Sequence, residues 1–241
     1  ISHYFRVGTH MVIPSMAEIA LDHSVLDAVE SVLGRDLVVW SCELFIKEAG
    51  SPKIVSWHQD LTYWGFGGID DQVTAWIALS DVSPASGCMR FVPGSHKQDI
   101  VPHSDTFAED NMLSRGQEIA VDVDEDDAVD IVLKPGQMSL HHGRIFHASG
   151  PNTSDDRRIG VAIRYMTPGV RQLVGERDYA MLARGGDRDR NWIHFAPPKE
   201  NFAAADLGFY EQVLADRARA LADGADQTVA MYDSNSQPAP A

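Results

Sequence analysis

The sequence is poor in cysteine and in positive charge, and it has no long apolar run. Only Cys42 and Cys88 occur in 241 residues. That excludes a disulfide scaffold and fits a reducing, cytoplasmic setting, with both thiols read as small buried side chains. Lys and Arg total 20 against 35 Asp and Glu, a net charge of −15. A nucleic-acid partner would want a basic stripe, so this balance argues against one. It also argues against long-range steering of a highly anionic substrate, although a local basic pocket can override the global field. Much of the acidity lies in Asp122 to Asp130. That run reads as a solvated loop, because it lacks the spacing of an EF-hand. No apolar stretch approaches the ~20 residues of a membrane helix, so no membrane partner is expected. The opening Ile1-Ser2-His3-Tyr4 is neither an initiator methionine nor a signal peptide, and the natural N-terminus is expected upstream.

What remains is ordinary globular composition, 44% hydrophobic and 23% charged, with length for one domain and a sizeable core. From Met16 to Leu33 apolar residues recur at helical spacing, and Gly34 stands where a C-cap would. One amphipathic helix is expected there. From Leu37 the texture becomes short strands between Gly/Pro turns: 37–40, 43–46, 54–60, 72–79, 88–92, 128–133, 138–142, 144–148 and 158–166. Residues 97 to 128 read as a polar surface excursion. From Tyr179, and above all from Ala203 to Leu221, the pattern is read as helical again, before a loose Ser/Pro/Ala tail. The expectation is one domain over 1–241. It has a helical part at about 1–36, a jelly-roll core at about 37–168 and a helical part at about 169–232. The fold class is mostly β with flanking helices: a double-stranded β-helix, cupin-like.

Three features carry chemistry. In Trp57-His58-Gln59-Asp60, residues two apart on a strand face one side, so His58 and Asp60 point together. One imidazole and one carboxylate are two thirds of a facial triad. The stretch from Leu140 to Asn152 adds His141, His142 and His147; the first two are adjacent and face opposite ways, while small residues follow His147. Arg158, eleven positions after His147, begins an alternating strand. Its fork suits the far carboxylate of a dicarboxylate chelating a metal by its other end, with Arg157 as competitor. Around the His-x-Asp lie Trp57, Tyr63, Trp64 and Phe66, either core or pocket wall; a wall of this kind holds an apolar chain or, by cation–π contact, an ammonium group. His96 is read as a hydrogen bonder at a turn, and Asn152 as a loop fixer. His10, His23, His103 and His194 are read as structural or exposed.

Together, His58-Gln59-Asp60, Pro93-Gly94-Ser95-His96, and His147-Ala148-Ser149-Gly150-Pro151-Asn152 with Arg158 resemble the phytanoyl-CoA dioxygenase family of Fe(II)/2-oxoglutarate-dependent oxygenases. The resemblance runs from about Leu37 to about Pro168. It implies Fe(II), 2-oxoglutarate and O2 as cofactor and cosubstrates. It implies His58, Asp60 and His147 as metal ligands, Arg158 as the clamp on 2-oxoglutarate, and Ser149 as its hydroxyl helper. Trp76 falls where the family has an aromatic beside the cosubstrate. The implied reaction is hydroxylation of an sp3 carbon with release of succinate and CO2. Halogenating relatives lack the carboxylate, and Asp60 is present. The expected substrate is a small soluble molecule rather than an acyl-CoA, because no basic patch awaits the CoA phosphates. Tyr63, Trp64 and His142 are candidate substrate contacts. The segments 97–128 and 168–200, the latter with Arg171, Arg177, Arg184, Arg188 and Arg190, are candidate lids. The competing readings are a cupin-like metal enzyme without 2-oxoglutarate, which leaves Arg158 unexplained, and a non-catalytic jelly-roll binding protein.

Overall fold

The computed structural model describes residues 6–108, 110–113, 116–175 and 177–221; the expected loose tail, Asp233 to Ala241, and the end of the expected helical part, 222–232, lie outside them. The expected single helix over 16–33 is two. Helix α1 (Pro14–Ala20) starts on a proline at its first turn. Helix α2 (His23–Leu33) starts afresh because the Asp22 carboxylate accepts from the Ser24 N–H at 2.8 Å. That cap holds Asp22 extended and outcompetes helix continuation, an effect that apolar spacing does not register. Gly34 closes α2 at φ 87°, as expected.

The strands in chain order are β1 (Leu37–Lys47), β2 (Val55–His58), β3 (Gln72–Ala78), β4 (Met89–Phe91), β5 (His103–Asp105), β6 (Gln117–Ile119), β7 (Val129–Ile131), β8 (Met138–His141), β9 (His147–Ser149), β10 (Arg158–Met166), β11 (Tyr179–Arg184) and β12 (Ile193–His194). Helix α3 (Ala204–Leu221) follows. They form a jelly roll with sheet orders β12-β11-β1-β10-β3-β8 and β2-β9-β4-β7, and a hairpin β5-β6. No described helix is long and apolar enough to cross a membrane.

Contacts divide the chain into two compact units: residues 1–44, 71–75 and 162–241, and residues 45–70 and 76–161. In the first, the expectation of helix from Tyr179 is overturned, since β11 pairs antiparallel with β1 through Val38↔Leu182 and Val39↔Met181. Residues 37 to 43 of β1 are all buried, and a buried strand needs its backbone groups paired. Helix α3 is tied down by Arg217, whose Nε donates to Asp178 Oδ1 at 2.9 Å, while Trp40 Nε1 donates to Asp178 Oδ2 at 2.7 Å.

In the second unit β9 lies between β2 and β4, both antiparallel to it. The register sets His58 opposite His147, and Phe91 and Met89 opposite His147 and Ser149. The 97–128 segment is not structureless, because β5 and β6 pair His103↔Ile119 within it.

Candidate metal centre

His58 ends β2, and Gln59 continues extended at φ −118°, ψ 123°. The strand alternation therefore carries past the end of β2, and His58 and Asp60 leave the same side. Asp60 then opens a 3-10 turn, Asp60–Thr62. With His147 as cross-strand partner, donor atoms of His58, Asp60 and His147 all lie within 4.8 Å of one another, and all three residues are buried. Asp60 Oδ1 is 3.3 Å from His58 Nε2 and 3.9 Å from His147 Nε2.

One local device aims both rings. His58 Nδ1 lies 2.9 Å from the Ser56 carbonyl oxygen, and His147 Nδ1 lies 3.0 Å from that of Ile145. A carbonyl only accepts, so each Nδ1 carries the proton and donates it. Each Nε2 is thereby left as a lone pair facing Asp60. Burial, then the neighbouring His58 ring, holds His147 well below the usual imidazole range, which keeps it neutral. Two imidazole nitrogens and a carboxylate oxygen fit a divalent transition metal with open coordination positions.

Arg158 opens β10 at 1% exposure. It donates to the Gly87 carbonyl at 2.6 Å, and its guanidinium carbon lies 5.3 Å from the Trp76 ring centroid. Gly160, two positions on, makes room for that indole: a Cβ there would come within 1.9 Å of it. Gly87 in turn packs on the strand exit, since its Cβ would meet the Gly150 carbonyl oxygen at 2.5 Å. Ser149 Oγ accepts from Lys47 Nζ at 2.8 Å, and Lys47 also donates to the carbonyls of Ser149 and Gly150. Burial, then the charge of Arg158, pulls Lys47 down to about 7. Burial pulls Arg158 to about 10, so it stays cationic. Among the described residues neither cation pairs with a carboxylate. Two buried cations that meet no carboxylate among the described residues are costly to the free chain.

Of the other candidates, Tyr63 and Trp64 are half-buried beyond Asp60, and Tyr63 meets the His103 ring edge-on at 5.8 Å. His142 faces Asp70, while His141 turns the other way, its ring 5.2 Å from that of His147. Arg157 is surface and pairs with Glu48 at 3.2 Å. Asn152 fixes its loop by donating to the Lys47, Glu48 and Asp156 carbonyls. In the Pro-Gly-Ser-His turn the bonding side chain among the described residues is Ser95 rather than His96: its hydroxyl accepts from Phe146 N at 2.8 Å, just before β9. His103 is more than an outlying structural residue, because its Nε2 accepts from Gln59 N at 3.0 Å, between the two proposed ligands. Arg184 is engaged by Asp27 and Glu30 at 2.7 and 2.6 Å. Sequence reasoning missed Lys47, Gln59 and Arg144; only for Lys47 was there a signal, a lone cation closing the mostly apolar stretch Leu37–Lys47.

Fold and centre define a jelly-roll protein built around a two-histidine, one-carboxylate donor set. The sequence profile of the phytanoyl-CoA dioxygenase (PhyH) family matches residues 6–160, and the chain belongs to this family. The match starts well before Leu37, where the motif resemblance began. A probable alpha-ketoglutarate-dependent hypophosphite dioxygenase of Stutzerimonas stutzeri is 29% identical over 175 residues, 70% of this chain and 59% of that protein. The peroxisomal phytanoyl-CoA dioxygenase of Homo sapiens is 30% identical over 145 residues, 58% of this chain and 43% of that one. The chain thus spans about half the length of the curated relatives it matches. Among solved structures, the apo form of the non-heme monooxygenase ThoJ matches with TM-score 0.82 and 37% identity, over 92% of this chain and 81% of that one. Its nickel complex matches with TM-score 0.76.

Proposed function

We propose that this chain is the catalytic domain of an Fe(II)- and 2-oxoglutarate-dependent oxygenase that hydroxylates an sp3 carbon of a small molecule, with release of succinate and CO2. The observation that carries this reading is the pairing, within one unit, of a three-donor cluster with two buried cations that meet no carboxylate among the described residues. The donor set suits iron, and the cationic site suits the free end of a dicarboxylate. Family membership and the activities in the names of relatives agree with it.

When bound, iron with its cosubstrate and O2 supplies the oxidation of an unactivated C–H bond. His58, Asp60 and His147 would occupy one face of the metal and leave the other open. Asp60 is the carboxylate that halogenating relatives lack, which favours hydroxylation over halogenation. Arg158 and Ser149 would hold the far carboxylate, with Trp76 as wall. Tyr63, Trp64 and His142 would border the substrate and exclude water. A small soluble metabolite fits better than an acyl-CoA. The free, buried Cys42 and Cys88 fit a reducing compartment such as the cytoplasm, although the human relative is named as peroxisomal. We read residues 1–241 as one oxygenase domain, since β1, β3 and β10 each run through both units.

The test is anaerobic titration of the Fe(II)-loaded protein with 2-oxoglutarate. A weak visible charge-transfer band should appear in the wild type and be lost or much weakened in Arg158→Ala. No band in folded, iron-loaded wild type sinks the reading. Asp60→Ala, checked for folding and metal content, should make no succinate.

A further inference from the structure

The loop between β8 and β9 holds two buried nitrogens that the described residues serve poorly. Arg144 Nε makes no hydrogen bond among the described residues, and His142 Nε2 has no side-chain partner and only the main chain of Asp70 beside it. Their surroundings are polar and partly acidic. Arg144 Nη2 bonds Asp70 Oδ1, and His142 Nε2 stands 3.7 Å from the same oxygen. Asp99 Oδ1 is 4.0 Å from Arg144 Nη1, and the His96 ring is 5.9 Å from that of His142. The exposures differ sharply: the Arg144 side chain is 13% exposed and that of Asp70 82%. A buried donor without an acceptor is costly, whereas an exposed carboxylate is a weak, screened partner. Asp70 also uses only one nitrogen of a fork that takes a carboxylate or phosphate two at a time.

This loop adjoins the candidate centre through both ligand-bearing segments. Gln59, between His58 and Asp60, donates to the Arg144 carbonyl at 2.8 Å. Leu61 N donates to the Gly143 carbonyl at 3.1 Å. Arg144 itself stands three residues before His147. Asp70 arrives on a glycine-rich segment, with Gly65 and Gly67 at φ 77° and 71°. That segment passes over the guanidinium, where a Cβ at Gly68 would lie 3.9 Å from Arg144 Nη1.

We propose that the substrate of this centre carries an oxyanion, a carboxylate or phosphonate, that Arg144 and His142 bind in the place taken here by the carboxylate of Asp70. The inference rests on the oxygenase reading and adds the chemical class of the substrate. Asp70 is the chain's own stand-in. It satisfies Arg144 Nη2 in the free protein and yields to a ligand that also satisfies Arg144 Nε and His142 Nε2. The global charge of −15 does not oppose this, because the recognition is local and short-ranged.

The test is calorimetric titration of methylphosphonate into the full chain without iron or 2-oxoglutarate, with neutral dimethyl methylphosphonate as comparator. The anion should bind and the diester should not. Asp70→Asn, a change at an exposed residue, should tighten binding about threefold or more by removing the competitor. Arg144→Gln should weaken it about tenfold or more. Arg158→Ala should leave it in place. Equal binding in Arg144→Gln, loss in Arg158→Ala instead, or no binding even in Asp70→Asn would each overturn the proposal. The 2-oxoglutarate band of the wild type is read separately, so its absence would defeat the oxygenase reading without touching the calorimetric result.

Discussion

Buried cations are partnered differently in the two compact units. In the first, Arg164 meets Glu43 at 2.7 Å and Arg217 meets Asp178 at 2.9 Å, all four side chains under a tenth exposed. In the second, Lys47 and Arg158 are each 1% exposed and rest on carbonyl oxygens and the Ser149 hydroxyl. A neutralised buried pair holds elements together, and its worth shows when one partner is removed. A buried cation without a carboxylate costs the free protein stability, and that cost is recovered when an anion arrives. The first arrangement fastens α3 to the sheet; the second is the one that the proposed function gives to 2-oxoglutarate.

The comparison can be broken first at its strongest point. Asp178→Ala leaves Arg217 buried and uncompensated, so urea unfolding should show a loss of about 3–5 kcal/mol. A change below about 1 kcal/mol would mean that the pair is not what secures α3. Arg158→Met should do the opposite to the free protein, leaving its stability unchanged or raised. Its affinity for 2-oxoglutarate should fall about tenfold to a hundredfold. Destabilisation of the ligand-free chain by this change would erase the distinction between the units. Lys47 sharpens it through pH. Its folded pKa is about 7 against 10.5 unfolded. Between those values the unfolded chain holds a proton that the folded chain lacks, so stability should rise with pH across that window. The cost of burying the ammonium is fully present below pH 7. Comparing urea curves of wild type and Lys47→Met at pH 7 and 9.5 isolates this slope, which should be absent from the variant. The smallest effect is expected from Ser149→Ala. Loss of one hydroxyl contact should weaken 2-oxoglutarate about fivefold, with the iron affinity held.

The parts of this molecule legible in sequence are those set by local periodicity. The His58-x-Asp60 pair shares a face because a strand repeats every two residues, and Gln59 keeps that repeat going beyond the end of β2. The strand opened by Arg158 and the cap at Gly34 were readable for similar reasons. What misled was competition at short range and pairing at long range. Asp22 breaks a helix whose apolar spacing runs on through it, because one side-chain oxygen captures a backbone N–H. The segment from Tyr179 is a strand because β1 needs a partner there, about 140 residues away in the chain, which no window of sequence contains.

The candidate site divides in the same way. Residue types and alternation singled out the His58/Asp60 pair and Arg158 and left His141, His142 and His147 open; the family resemblance chose His147 among them. Only the fold decides that Lys47 meets Ser149 across 102 residues and that Asp70 meets Arg144 across 74. It also decides that Gly160 vanishes beneath Trp76. Such contacts depend on strand register, and register is chosen by the burial of whole faces at once rather than by any residue alone. Sequence by itself therefore determined which groups would be offered to a metal. Tertiary structure alone decided which buried cations meet a carboxylate and which rest on carbonyl and hydroxyl oxygens, because only the packed chain brings those partners together.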